Sequence, residues 1–224
     1  MFSFVKKILV EILKSILDFI LHIDVHLSEI ISNYKVWTYL ILFLIIFAET
    51  GLVVTPFLPG DSLLFAAGAL IAKGDTGLNI YLLSVLLIIA AVIGNTTNYY
   101  LGNYFGPRVF KPDNKILKLE YYEKTNLFFS KHGGKAVIFS RFMPIFRTIA
   151  PFVAGIGKMP FGRFTYFNIV GGIAWIVSFL FIGYFFGGIP VIKQNFTIVI
   201  LVILVLTALP AIYAAISVNK HRHN

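Results

Sequence analysis

The sequence predicts an all-α membrane protein that crosses the bilayer several times, and three observations lead to this prediction. Apolar residues make up 58% of the 224 residues, charged residues only 13%, and the mean hydropathy is +0.85. A soluble domain carries about twice that fraction of charge. Charged residues are absent from three long runs, and two further apolar segments are each interrupted by prolines.

The three charge-free runs predict three spanning helices. We place them at 79–102, 164–187 and 196–217. Each run can contain the roughly 20 apolar residues that a helix needs to cross the hydrocarbon core. The net charge of +9 is attributed to basic loops that orient the protein in a bilayer, and not to nucleic-acid binding.

Two apolar segments, 36–72 and 136–160, are broken near their middles by TPFLPGDS and MPIFRTIAP. Proline lacks a backbone donor and clashes with the preceding turn, so a straight helix through either stretch is disfavoured. Within lipid, irregular backbone persists only where protein or a water-filled cavity surrounds it. We therefore predict two facing re-entrant hairpins. Their tips carry Pro56, Pro59, Gly60, Pro144 and Thr148.

The two halves of the chain share an order of elements. FAAG at 65–68 and FVAG at 152–155 follow the two broken segments, while GNYFG at 102–106 and GYFFG at 183–187 end the two following spans. Paired apolar segments interrupted by Gly or Pro indicate a transporter built from inverted repeats. The Gly-x-x-x-Gly motifs themselves are interpreted as sites of close helix packing.

The predicted organisation has three parts. An amphipathic, interfacial helix occupies 1–35, a transport core occupies 36–190, and a spanning helix with a basic tail occupies 191–224. Within the core, a basic loop with a surface helix joins the halves over 103–135, and its lysines and arginines favour the cytoplasmic side. The alternative for the N-terminal part is a helix that spans the membrane despite its charged residues. The sequence does not predict on which side of the membrane the N-terminus lies.

Four charged residues lie inside the embedded segments, away from their ends: Glu49, Asp61, Arg141 and Arg147. An ionisable group at the centre of a membrane helix costs roughly 2.5–3.5 kcal/mol on insertion scales. We therefore expect these groups to face one another or a wet cavity, with at least one acid–arginine pair bonded directly or through one water. The simplest alternative is a purely structural set of buried salt bridges, although such pairs stabilise poorly relative to apolar packing.

Two arginines beside a broken helix suit an anion. The guanidinium fork matches phosphate geometry, and free backbone N–H groups at the start of a half-helix add donors. Neighbouring acids can exchange protons, because burial and a nearby arginine act in opposite directions on a carboxyl group. We expect Arg141 and Arg147 to bind a substrate phosphate, and Glu49 and Asp61 to couple that binding to a proton or cation.

Other polar residues carry weaker signals. Asn95 and Asn98 share one helix face, for which interhelical hydrogen bonding is favoured over lining a transport path. Trp37 and Trp175 are interpreted as packing or interface aromatics. No carboxylate–histidine set resembles a metal site, and no Ser-His or di-aspartate pair suggests an enzyme. We expect neither a metal nor an organic cofactor.

Glu49, followed by Pro56, Pro59-Gly60-Asp61 and FSRFMPIFRT at 139–148, resembles the DedA family, also described as the VTT or SNARE-associated Golgi protein family. The resemblance covers residues 36–190 and implies two facing re-entrant hairpins in a multi-pass protein of the inner (plasma) membrane. It also implies lipid transport. Bacterial members are similar to flippases that recycle undecaprenyl phosphate for envelope synthesis, others are linked to phosphatidylethanolamine movement, and eukaryotic relatives to lipid scrambling.

The same resemblance implies dependence on the proton-motive force or sodium, so H⁺ or Na⁺ is the expected coupling ion. By position, it assigns function to Glu49, Asp61, Arg141 and Arg147. The leading hypothesis is an ion-coupled transporter of a lipid phosphate. The alternatives are a cation/proton antiporter, a phospholipid (phosphatidylethanolamine) flippase or scramblase, a membrane enzyme and a structural component. The lipid carried, the ion, the direction and the oligomeric state stay open, a homodimer being one option.

Overall fold

The computed structural model describes residues 23–52, 60–74, 76–106, 119–195, 198–199 and 201–203. All regular elements within these residues are helical. In chain order they are α1 Ile23–Tyr34, α2 Trp37–Gly51, α3 Gly60–Ala72, α4 Ile80–Phe105, α5 Leu119–His132, the 3-10 helix Gly133–Lys135, α6 Ala136–Ser140, α7 Pro144–Ile156, α8 Phe161–Phe186 and α9 Pro190–Gln194. The start of the N-terminal helix, the tip residues Pro56 and Pro59 and most of the span at 196–217 lie outside the described residues.

Two of the described helices are long and apolar enough to cross a membrane. These are α4 and α8, with 26 residues each. At 1.5 Å per residue each is about 39 Å long, more than the ~30 Å hydrocarbon core requires. The side chain of Asn79 caps α4 by accepting hydrogen bonds from the backbone N–H groups of Tyr81 and Leu82. The spans predicted at 79–102 and 164–187 are therefore present as helices.

Both broken segments form two short helices separated by a break. In the first, α2 ends at Gly51 and α3 begins at Gly60; in the second, α6 ends at Ser140 and α7 begins at Pro144. Proline suits a first helical position, where its missing N–H would have no intrahelical partner. The 13-residue helices α3 and α7 reach only about 20 Å each, too short to cross the core. This length is compatible with re-entrant hairpins, whose path through the membrane stays a prediction.

The two halves of the core pack against each other at two helix crossings. At one crossing, the FAAG motif on α3 contacts the GYFFG motif on α8. A Cβ on Gly68 would clash with the Leu180 carbonyl oxygen, and one on Gly183 would clash with the Phe65 carbonyl oxygen. The two backbones therefore approach each other more closely than any larger residue would allow.

The second crossing repeats this contact between the other two elements. A Cβ on Gly155 of α7 would clash with the Tyr99 carbonyl oxygen of α4, and one on Gly102 of α4 would clash with the Phe152 carbonyl oxygen of α7. Each short helix thus packs on the spanning helix of the other half. Close packing is confirmed for Gly102 and Gly183. Gly106 instead ends α4 with φ of 65° and open space around it, so the packing interpretation was wrong for that residue.

The described part of the predicted N-terminal helix, α1, has an apolar face that packs on the protein core, and its interfacial location stays a prediction. Leu27 and Ile31 of α1 are buried in the apolar core, while Glu29 and Ser32 are exposed. In the predicted basic loop, α5 is the expected surface helix, with Leu127 exposed on it.

Gly183→Ala is expected to destabilise the protein by about 1–3 kcal/mol, because overpacking forces closely packed backbones apart. Thermal unfolding in detergent would measure the loss. Gly188→Ala is the matched control, since a Cβ there meets nothing within 4 Å. Equal melting temperatures for the two variants would contradict the packing argument.

Candidate functional site

Three of the four embedded charges form one cluster. Nη1 of Arg147 donates to Oε1 of Glu49 at 2.6 Å, and Nη2 donates to Oδ1 and Oδ2 of Asp61 at 2.8 and 2.9 Å. All three residues are at most 5% exposed. The cluster joins α2, α3 and α7, so it connects the two broken segments across 98 and 86 residues of sequence. The expectation of a direct acid–arginine bond is confirmed.

Local structure places each member of the cluster. Glu49 lies in the last turn of α2, and Asp61 lies in the first turn of α3, where the helix dipole favours a carboxylate. Arg147 is the fourth residue of α7. Gly60 begins α3 directly against Glu49, and a Cβ at that position would overlap the Glu49 carboxylate. Glycine is therefore needed for the acid to reach the arginine.

Trp175 is part of the same site. Its Nε1 donates to Oδ1 of Asp61 at 2.7 Å, and its ring centroid lies 4.6 Å from Cζ of Arg147 and 5.9 Å from Cζ of Arg141. The side chain is fully buried in the middle of α8. The interpretation as a packing aromatic is confirmed for Trp175, which belongs to the buried apolar core, but it was incomplete because the indole N–H also donates to Asp61. Trp37 is 67% exposed at the start of α2, and its interpretation as an interface aromatic stays a prediction.

Arg141 has a different environment. Its Nη2 donates to the Ala91 carbonyl at 3.3 Å, and to the Asn168 carbonyl at 3.3 Å and the Asn168 Oδ1 at 2.6 Å. In the part of the chain that the structure describes, it has no carboxylate partner, and its Nε and Nη1 donate to no acceptor. The residue is 0% exposed. A fully buried cation with unused N–H groups is costly unless an anion joins it.

The four charges sum to zero, but they are divided unevenly. Two ionised acids against Arg147 leave that cluster with one net negative charge, while Arg141 carries one positive charge nearby. Adding a proton or a monovalent cation to the acids would neutralise the cluster. Adding an anion at Arg141 would neutralise that side. The arrangement can thus take up a cation and an anion at adjacent positions.

An asparagine network holds Arg141 in place. Asn95 donates to Oδ1 of Asn168 at 3.1 Å, and Asn168 donates to the carbonyl of Val92 at 3.0 Å. Asn98 donates to the carbonyl of Thr148 at 2.6 Å. Interhelical hydrogen bonding by Asn95 and Asn98 is therefore confirmed. The sequence reasoning missed Asn168, although an amide inside the charge-free run of α8 was a usable signal, since buried amides in membrane helices mark contacts between helices.

The predicted tip residues have different locations. Gly60 and Pro144 begin α3 and α7. Thr148 lies a full turn inside α7 and is buried, and the assignment of these residues to hairpin tips stays a prediction. The prolines at 56 and 59 lie outside the described residues.

Gly60→Ala is expected to displace Glu49 from Arg147 and to lower stability by about 1–3 kcal/mol, because the new methyl group must occupy the carboxylate position. A fall in melting temperature together with loss of transport would support this placement. Gly162→Ala is the control, because a Cβ at that helical position meets nothing within 4 Å. Full activity in Gly60→Ala would show that Glu49 does not need this contact.

Two membrane-length helices among the described residues, packed with a buried charge cluster, indicate an integral membrane protein. A family profile described as the VTT domain matches residues 58–185. The chain is 48% identical over 213 residues to "Protein DedA" of Escherichia coli strain K12, covering 95% of this chain and 96% of that protein. The chain belongs to the DedA family.

Two further relatives carry membrane-protein names. "Uncharacterized membrane protein Rv0364" of Mycobacterium tuberculosis is 40% identical over 182 residues, covering 81% of this chain and 80% of that protein. "Inner membrane protein YqjA" of Escherichia coli strain K12 is 38% identical over 155 residues, covering 68% and 69% respectively. No solved structure matches the chain.

Proposed function

We propose that this chain is an ion-coupled transporter, or flippase, of a lipid phosphate in the inner (plasma) membrane, and that undecaprenyl phosphate is its substrate. The observation that carries this proposal is Arg141, a fully buried guanidinium with two unbonded nitrogens and no carboxylate partner among the described residues. A phosphate supplies the missing negative charge, and its oxygens accept from paired N–H groups. The isoprenoid tail is compatible with a site between membrane helices.

The acids provide the coupling step in this proposal. While both are ionised, Glu49 and Asp61 occupy both terminal nitrogens of Arg147. Binding of H⁺ or Na⁺ to the acids weakens their hold and frees that guanidinium to join Arg141 on the phosphate. Release of the ion lets the acids recapture Arg147 and expel the substrate. Cation and lipid phosphate would therefore bind together.

The described conformation is occluded, because all four charges are at most 5% exposed. A transporter must open such a site to each side in turn. The break at 141–143, between α6 and α7, includes Arg141 and is a suitable hinge because regular helical structure is interrupted there. Movement at this break would change the separation of Arg141 and Arg147.

A cation/proton antiporter is the second candidate, and a specific observation favours it. Both terminal nitrogens of Arg147 already bind acids, so the cluster can bind a cation with no anion involved. In that case Arg141 serves only to balance the charge of the cluster.

Transport of labelled undecaprenyl phosphate into proteoliposomes tests the proposal, with a proton or sodium gradient imposed separately. We expect gradient-dependent movement that Arg141→Gln abolishes. Movement of labelled phosphatidylethanolamine in place of undecaprenyl phosphate would instead indicate a phospholipid flippase or scramblase. Gradient-driven cation exchange with no lipid movement would establish the antiporter.

A further inference from the structure

A polar cleft of about 680 Å³ lies away from the charge cluster, between the α1–α2 junction and the loop that joins α3 to α4. Its polar lining includes Ser28 and Ser32 from α1, Lys35 from the junction, and Lys73 and Thr76 from the loop. None of the residues that line it belongs to the Glu49–Asp61–Arg147 cluster or to the contacts of Arg141. It is a separate site.

The cleft is positively charged. Lys35 and Lys73 are both exposed, and neither forms an ion pair within the described ranges. Lys35 has φ of 46°, an uncommon conformation for a residue other than glycine. Backbone hydrogen bonds hold it there, from Lys35 N–H to the Ile31 carbonyl at 2.9 Å and from Thr38 N–H to the Lys35 carbonyl at 3.0 Å. The junction thus fixes one lysine at the edge of the cleft.

The helix cap at Asn79 and two exposed aromatic side chains indicate that the cleft lies at the level of one membrane surface. The Tyr39 hydroxyl accepts from the backbone N–H of Asn79, the residue that caps the spanning helix α4, at 2.7 Å. Trp37 and Tyr81 are 67% and 70% exposed beside it. Exposed Trp and Tyr at the end of a spanning helix are typical of the headgroup region.

An apolar groove of about 540 Å³ continues from the cleft between α2 and α4. The two share Val36 and Tyr39, and the rest of the groove is lined by Trp37, Leu40, Phe43, Leu82 and Leu86. The groove therefore follows the spanning helix from the headgroup level toward the hydrocarbon core. Its apolar lining suits part of one acyl chain.

We propose that the cleft and groove together bind an anionic phospholipid, with its phosphate and headgroup on Lys35 and Lys73 and one acyl chain along the groove. The cleft volume is in the usual range for small-molecule sites. The adjoining groove favours a lipid over a free anion, because a free anion would leave the apolar surface unused. Two lysines without acidic partners among the described residues favour an anionic headgroup over a zwitterionic one.

Trp37 lies in the groove and reports its occupancy. The sequence has two tryptophans, and Trp175 is fully buried. The full chain would be reconstituted in phosphatidylcholine vesicles that contain a minor fraction of phosphatidylglycerol or phosphatidylcholine with brominated acyl chains. Subtracting the signal of Trp37→Phe removes the contribution of Trp175. We expect brominated phosphatidylglycerol to quench Trp37 more strongly than brominated phosphatidylcholine at the same mole fraction.

In Lys35→Gln/Lys73→Gln, the preference for phosphatidylglycerol is expected to fall about fivefold per lysine. Lys131→Gln/Lys135→Gln is the matched control, since it removes the same charge from exposed positions outside the cleft and should retain the preference. Equal quenching by the two brominated lipids in the wild type would overturn the proposal. So would an equal loss in both double variants, because the lysines would then act only through overall surface charge.

Discussion

Arg147→Ala is expected to abolish transport and to lower the free energy of unfolding by about 3–5 kcal/mol, the usual cost of removing one partner from a buried ion pair. The substitution leaves Glu49 and Asp61 buried at 3% and 5% exposure without the cation that now binds both. It also removes the guanidinium stacked on the Trp175 ring. Thermal unfolding in detergent and transport in proteoliposomes measure the two effects.

Arg147→Lys is expected to be nearly as damaging for transport. The two terminal nitrogens of Arg147 reach different acids at the same time, and a single ammonium cannot reproduce that fork. Arg163→Lys, at an exposed position on α8, controls for the replacement of arginine by lysine and should leave transport unchanged. Full transport by Arg147→Lys would show that a simple charge is sufficient.

A separate variant is needed to test the alternative that the charge cluster has a purely structural role. Asp61 pairs with Arg147, so double neutralisation of Asp61 and Arg141 would not remove a bonded pair. The informative combination is Glu49→Gln/Asp61→Asn/Arg147→Met, which removes all three charges together. We expect it to recover most of the stability lost in Arg147→Ala while transport stays absent. Recovery of both stability and transport would show that the cluster has only a structural role.

The embedded charges and the broken helices could be predicted because both are physically expensive in a bilayer. A proline or a charge inside an apolar run leaves few arrangements that satisfy the backbone and the ionised group. The pairing within the cluster could not be predicted. Arg141 and Arg147 are six residues apart in equally apolar sequence. They have different partners because the turn at 141–143 directs the two side chains to different elements, which the sequence does not reveal.

Trp175 and Asn168 were missed for a related reason. Both side chains are compatible with ordinary packing in a spanning helix, so neither signals a functional role by residue type alone. Their roles depend on which elements face α8, namely the first turn of α3 at Asp61 and the turn at Arg141. The repeated motifs gave the order of elements, but the order does not reveal that each short helix packs on the spanning helix of the other half.

Lipid-phosphate affinity is expected to rise as pH falls, because protons then bind to the acid cluster that holds Arg147. Ionised acids hold Arg147 by three short contacts, and protonated acids no longer compete for it. Since hydrogen bonds to charged groups contribute about 1.5–3 kcal/mol, the gain should be about tenfold or more. The rise ends where the phosphate itself protonates, which for a phosphate monoester begins near a pKa of about 6. Binding of undecaprenyl phosphate to detergent-solubilised protein measures the profile.

The acid-free variant Glu49→Gln/Asp61→Asn decides whether the acids cause this dependence. It should bind the lipid phosphate tightly at every pH, with only the titration of the phosphate left in its profile, and it should lose coupling to the ion gradient. Glu29→Gln/Glu123→Gln replaces two exposed acids and should keep the wild-type profile. An unchanged profile in the acid-free variant would mean that the acids do not compete with phosphate for Arg147. Arg141→Gln would then test the anion site alone, because Arg141 has unbonded nitrogens and forms no hydrogen bond with either acid.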